Sequence, residues 1–118
     1  MALTRLTVLV FRHPHGRWEA RILEHDMSAE GRTREMVIDM VLRLARAHIA
    51  YDIRHNREPL SAFGPASRIF WTGFEDGTSV PLPSTVEDLG HYEPIEVRIR
   101  MAQQTPTTLR LVHTRKTA

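Results

Sequence analysis

The sequence predicts a single small α+β domain, in which an antiparallel sheet of three to four strands packs on one long helix in the order β-β-β-α-β. Two observations lead to this prediction. Runs of alternating apolar and polar residues lie near both ends of the chain, and residues 34–56 between them contain neither Gly nor Pro. The length of 118 residues is that of one domain.

The first strands form a predicted hairpin. Residues 3–12 carry apolar side chains on both faces, which is typical of a central strand covered on both sides. Pro14 and Gly16 supply a turn, and residues 18–24 then alternate apolar with polar side chains, as a half-buried strand does. Residues 27–30 predict a short third strand.

The long helix begins after Thr33, a favourable N-cap, and carries two neighbouring apolar stripes. The first comprises Val37, Met40, Val41, Leu44, His48 and Tyr51, and the second comprises Ile38, Leu42, Ala45, Ile49 and Ile53. One sheet covers an arc of roughly 100° on a helix. The second stripe is therefore expected to pack under the following segment or against a second copy, and Ile38, Leu42, Ile49 and Ile53 are the predicted partner contacts.

Residues 58–92 predict a loop-rich extension within the domain, which spans residues 1–101. The extension contains an aromatic cluster, and Pro65 suits the first turn of a short helix. Such a cluster most often forms core under a loop, but Trp71 is also a candidate contact to a partner. Residues 95–101 alternate cleanly and predict a final strand, and residues 102–118 predict a polar, basic tail.

Composition excludes several classes of function. Without cysteine the chain has no disulfide, thiolate nucleophile or cysteine-based zinc site. No apolar run approaches the ~20 residues of a membrane span, and residues 1–5 lack the layout of a signal peptide. We therefore expect a cytoplasmic protein with no membrane partner.

The cations comprise fifteen arginines and one lysine, with a net charge of +2. Guanidinium groups bind phosphates well, so a nucleic-acid-binding module is the alternative function, with Arg98, Arg100, Arg110 and Arg115 as its contacts. A codon bias toward arginine is the simpler explanation, because the arginines are spread along the chain among acidic residues.

The titratable residues predict neither catalysis nor a cofactor. His13 and His15 have a spacing that can hold a metal, but two histidines in a turn are most simply solvated. His25 stands at the far end of the second strand, more than about 20 Å from them. Glu24 and Asp26 could act as paired acids in an enzyme, but acids that flank a turn are more simply solvated. No catalytic residue and no metal site are expected.

The residues W18-E-A-R-I-L-E-H-D26 and S28-A-E-G-R-T33, followed by a helix, resemble the HicB-type antitoxin domain. The resemblance covers residues 3–57, with weaker similarity through residue 101. It implies a truncated ribonuclease H architecture and a protein that dimerises and neutralises a small ribonuclease toxin. Ribonuclease H catalysis requires acidic metal ligands, one of them on the first strand. Residues 3–12 contain no Asp or Glu.

Many members of this family repress their own operon through a separate C-terminal DNA-binding module. The seventeen residues after Met101 are too few and too polar for such a module. The sequence therefore predicts a non-catalytic, HicB-like, protein-binding domain that forms a homodimer, either an antitoxin or an orphan relative of one.

Overall fold

The computed structural model describes residues 4–83 and 95–106. Their elements are Thr4–Arg12 (β1), Trp18–Ile22 (β2), Met27–Gly31 (β3), Arg34–Arg54 (α1), Arg68–Glu75 (α2), Thr78–Ser79 (β4) and Ile95–Met101 (β5). The predicted α+β class is confirmed, and so is the order of the first three strands, the long helix and the late strand.

The described residues form a sheet of five strands in the order β3-β2-β1-β5-β4. β1 pairs antiparallel with β2 but parallel with β5, so that Leu6 lies opposite Val97 and Val8 opposite Ile99. The prediction of an antiparallel sheet of three to four strands was therefore wrong in its details. α1 lies within the long connection between β1 and β5, and a parallel pairing requires such a crossover. β4 has only two residues, too few to show a periodic pattern.

The two helices cover opposite faces of the sheet. Val8 and Val10 of β1 belong to a core cluster that includes the inner face of α1, whereas Leu9 and Phe11 pack in a second cluster with Phe74 of α2. Apolar residues on both faces of β1 are thus accounted for by its place in the centre of the sheet.

A local side chain caps the start of α1, whereas a side chain of β5 lies at the end of α2. The Thr33 hydroxyl accepts a hydrogen bond from the Met36 amide at 3.1 Å, which satisfies one free amide of the first turn of α1. α2 begins at Arg68, three residues after Pro65, so the short helix starts later than predicted. The Arg100 guanidinium donates to the Phe74 carbonyl at 3.2 Å and supplies a positive charge at the C-terminus of α2.

The segment after α1 folds back over the helix and is fixed by Asp52. This carboxylate is buried and accepts a hydrogen bond from the Leu60 amide at 2.8 Å. Leu60 is fully buried although its φ of 61° lies in the left-handed region. Because a branched residue adopts that conformation at a cost, burial of its side chain and the bond to Asp52 must together stabilise it.

Asp52→Ala is expected to lower the free energy of unfolding by about 2 kcal/mol, since hydrogen bonds to buried charged groups contribute roughly 1.5–3 kcal/mol. Chemical denaturation followed by circular dichroism measures the change. Asp76→Ala is the control, because Asp76 is exposed. An equal loss in the two variants would contradict a specific role for Asp52.

The first residues of the predicted tail continue along β1. The Ala102 amide donates to the Val10 carbonyl at 2.9 Å, and the Thr105 hydroxyl donates to the Arg12 carbonyl. The rest of the tail, 107–118, lies outside the described residues, and so do residues 84–94, which include the last part of the extension. Within residues 4–83 and 95–106, neither helix has the length and hydropathy needed to cross a membrane.

Candidate partner-binding surface

The outer side of α1 carries large apolar side chains that nothing in the described chain covers. Met36, Met40, Leu44 and Tyr51 are exposed to 45, 42, 39 and 43%, and Ala47 is exposed between the last two. We call these five residues the outer stripe. At about 100° per residue they fall within an arc of roughly 80°, and they extend for about 22 Å along the helix.

Scattered apolar residues are common on protein surfaces, but a continuous row of them indicates an interaction site. Six large hydrophobic residues are exposed in the described part of the chain, and four of them belong to the outer stripe. The other two, Ile53 and Leu82, lie elsewhere. This concentration makes the outer stripe the strongest candidate for a binding surface.

Charged residues follow one flank of the outer stripe in a graded order. Glu35 and Asp39 lie toward its N-terminal end, while Arg43, Arg46 and Arg54 lie toward its C-terminal end. Asp39 and Arg43 form an ion pair at 2.7 Å. The hydrogen bond from the Arg34 guanidinium to Glu35 lowers the pKa of that carboxyl.

The C-terminal end of the outer stripe is organised by ring contacts. The Tyr51 ring stacks on His55 with centroids 4.1 Å apart, and Arg57 lies over the same ring at 5.8 Å. The Nδ1 atom of His55 is 2.8 Å from the Tyr51 carbonyl oxygen. These contacts hold the Tyr51 ring in place before any partner binds, which lowers the entropy lost on association.

The structure corrects most of the partner contacts predicted on the helix. Ile38, Leu42 and Ile49 are buried in the core beneath α1, so their side chains are not accessible to a partner. Ile53 is exposed to 40% but lies on a different side of the helix from the outer stripe. Conversely, Met40, Leu44 and Tyr51, which the sequence placed on the stripe facing the sheet, are exposed.

The physical reason is the position of the sheet and of the loop after α1. They cover an arc centred on Val41, Ala45 and Ile49, which includes most of the second predicted stripe. The sequence showed that the apolar arc of α1 is wider than the arc that one sheet covers. The spacing of Met36, Met40, Leu44, Ala47 and Tyr51 is the signal that marks the exposed side, once the covered arc is known.

Trp71 is half-buried and packs against the cluster formed by Leu9, Phe11, Leu23, Ala66 and Phe74. The aromatic cluster is thus largely core under the extension, which was the simpler of the two interpretations. A contact between the remaining exposed part of Trp71 and a partner stays a prediction.

Two of the four arginines proposed to contact nucleic acid lie in the described chain, and both make contacts within the fold. Arg100 contacts the C-terminus of α2 and lies over the Phe74 ring at 4.7 Å. Arg98 donates to the Thr7 hydroxyl at 3.3 Å and lies 5.5 Å from the same ring. Arg110 and Arg115 lie outside the described residues. The geometry of the described pair gives no separate support to a nucleic-acid interface.

The histidines of the hairpin have different partners. His13 lies 2.9 Å from a carboxylate oxygen of Glu19 and 3.8 Å from one of Glu30. His15 stacks on His13 with centroids 5.0 Å apart. His25 contacts the Phe63 carbonyl instead, at 3.4 Å. The structure therefore groups His13 with two acidic residues of the neighbouring strands, which the sequence did not suggest.

The two acids near the β2–β3 turn do not converge. Glu24 accepts hydrogen bonds from the amide and hydroxyl of Thr7, and Asp26 pairs with Arg21. Each carboxylate thus has a structural partner.

Comparisons with protein-family models, curated proteins and solved structures found no match for this chain.

Proposed function

We propose that this protein is a non-catalytic, protein-binding domain, and that its outer stripe binds a second copy of the same chain. The observation that carries the proposal is the exposure of Met36, Met40, Leu44 and Tyr51 in one row. Burying large apolar side chains against a partner stabilises a complex by roughly 25 cal/mol for each Å² removed from water.

The spacing within the outer stripe favours a second copy as the occupant. In an antiparallel helix pair centred between Arg43 and Leu44, Met36 faces Tyr51 of the copy and Met40 faces Ala47. The side chain of Met36 then lies against an aromatic ring and that of Met40 against a methyl group, so that the two helices can pack closely. A two-fold pair uses the same surface on both partners, so a self-complementary row is what a homodimer needs.

The charged flank supports the same arrangement. In an antiparallel pair, Asp39 of one copy lies beside the basic half of the other copy, which contains Arg46. A parallel two-fold pair would place this flank beside the opposite flank of the copy and would not form such a contact. The opposed helix dipoles also favour the antiparallel pair.

The resemblance to HicB-type antitoxins supports a second partner, a small ribonuclease toxin. We place its contact at β3, which forms one edge of the described sheet and so presents backbone groups that pair with no described strand. The absence of acidic residues from β1 supports a function in neutralising a nuclease and not in nuclease catalysis.

Sedimentation equilibrium over a concentration series tests self-association, with a dimer expected at micromolar concentrations. A chain that remains monomeric at millimolar concentration would overturn the homodimer. Coexpression with the reading frame adjacent to this gene tests the toxin: a complex is expected, together with relief of growth arrest. If a toxin-sized neighbour arrests growth equally in the presence of this protein, the antitoxin proposal fails.

A further inference from the structure

We propose that His13, Glu19 and Glu30 form a binding site for a divalent first-row transition ion, represented by Zn²⁺. One ligand atom from each of these side chains lies within 4.8 Å of the other two. Two ligands of a tetrahedral Zn²⁺ ion, each at about 2.1 Å, lie about 3.4 Å apart. The separations of 2.9 and 3.8 Å from His13 bracket that value, so small side-chain rotations complete the site.

The backbone places these three side chains on one face of the sheet. Glu19 of β2 lies directly opposite Glu30 of β3 and opposite Phe11 of β1, so the two carboxylates share one face of the sheet. His13 follows Phe11 by two residues and projects on the same side. Its ring contacts the edge of Phe11, with centroids 5.2 Å apart. Two of the three ligands therefore lie on paired strands, and the third follows β1 directly in a turn where the His13 amide donates to the Arg17 carbonyl at 2.8 Å.

Glu19 is already oriented toward the ion position. Its side chain is buried, and Arg21 holds one carboxylate oxygen at 2.7 Å, which directs the other oxygen toward His13. Arg21 also pairs with Asp26, so part of its positive charge is compensated. Outer residues that orient ligands in this way strengthen metal sites.

Glu30 gives the site its access to solvent. Its side chain is exposed to 51%, compared with 8% for Glu19, so an ion can enter from this side and retain water there. The ion would take the place of the hydrogen bond between His13 and Glu19, and the proton of that bond would move to Nδ1 of the ring or to solvent. One ring nitrogen and two carboxylate oxygens suit Zn²⁺ and its neighbours, whereas Mg²⁺ and Ca²⁺ prefer oxygen ligands alone.

The other histidines of this region are matched controls. His15 lies beside His13, but its Nδ1 atom accepts a hydrogen bond from the Arg17 amide at 3.2 Å. His15 has no place in the cluster of metal-ligating atoms that the described residues form. His25 Nδ1 donates to the Phe63 carbonyl at 3.4 Å, and His25 also lies outside the cluster of metal-ligating atoms that the described residues form. Neither residue is expected to contribute.

Isothermal titration calorimetry with Zn²⁺ on the untagged protein tests the site. One equivalent is expected to bind, Mg²⁺ is expected not to compete, and His13→Ala and Glu30→Gln are each expected to weaken binding by at least about ten-fold. His15→Ala and His25→Ala are expected to bind as the native protein does. We choose Glu30 and not Glu19 for the carboxylate variant because Glu19 is buried, and a change there can prevent folding. Glu30 is exposed, so Glu30→Gln is expected to fold as the native protein does.

Two outcomes would overturn the proposal. One is the absence of Zn²⁺ binding at millimolar concentration. The other is binding that survives both His13→Ala and Glu30→Gln, because the ion would then lie elsewhere. A selective shift of the His13 ring resonances in ¹H–¹⁵N spectra on adding Zn²⁺ is the expected structural readout, and a shift confined to His15 or His25 would count against it.

Discussion

Leu44→Glu is expected to make the protein monomeric at concentrations where the native chain self-associates. Leu44 lies at the centre of the outer stripe, so a two-fold axis brings both copies of the new carboxylate together. Each copy also loses the burial of one leucine, which contributes about 1.5–3 kcal/mol. Because the change occurs twice in a dimer, we expect the dissociation constant to rise by at least about 100-fold.

Ile53→Glu is the matched control for this result. Ile53 lies on the same helix and is exposed to 40%, against 39% for Leu44, but it faces away from the outer stripe. Sedimentation equilibrium should show a dimer for Ile53→Glu and a monomer for Leu44→Glu, with equal helical content by circular dichroism. The reverse pattern would assign the interface to the side of α1 that carries Ile53.

The second large effect concerns stability. Leu42→Ala is expected to lower the free energy of unfolding by about 2–5 kcal/mol, because Leu42 is fully buried in the cluster beneath α1 and its truncation leaves a cavity. Urea denaturation under conditions where the protein is monomeric measures this change. Such a loss is a large fraction of the ~5–15 kcal/mol by which domains are stable.

Leu44→Ala provides the comparison for Leu42→Ala, since it removes the same atoms from an exposed position on the same helix. It should change the stability of the monomer by less than about 1 kcal/mol. Equal losses at the two positions would mean that the outer stripe is part of the core and is not a binding surface. The pair therefore separates residues that hold the fold from residues that hold a partner.

Local pattern predicted most elements of this fold but not their arrangement. Residues 95–101 alternate strictly, and their strand has the predicted bounds. Thr33 marked the start of α1 because its hydroxyl can cap a helix in any tertiary setting. The parallel neighbour of β1 could not be inferred in the same way, because side-chain alternation records which residues are covered and not which strand lies alongside.

The candidate sites depended on tertiary arrangement even more strongly. Apolar residues extend around most of α1, so only the position of the sheet and of Leu60 shows that Ile38 and Leu42 lie inside while Met40 and Leu44 lie outside. His13, Glu19 and Glu30 are separated in the chain, and strand register alone brings them together. A one-residue change in that register would turn the carboxylates to the other face.

The parallel contact between β1 and β5 also determines when this protein can fold. Thr7 and Arg98 are 91 positions apart, yet their strands are neighbours at the centre of the sheet. During synthesis β1 therefore leaves the ribosome long before its partner, and one side of its backbone has no strand to pair with. Contacts between such distant segments slow folding, and an unpaired apolar strand promotes aggregation during the delay. Translation rate and chaperone access are thus expected to affect the yield of this protein more than its final stability would suggest.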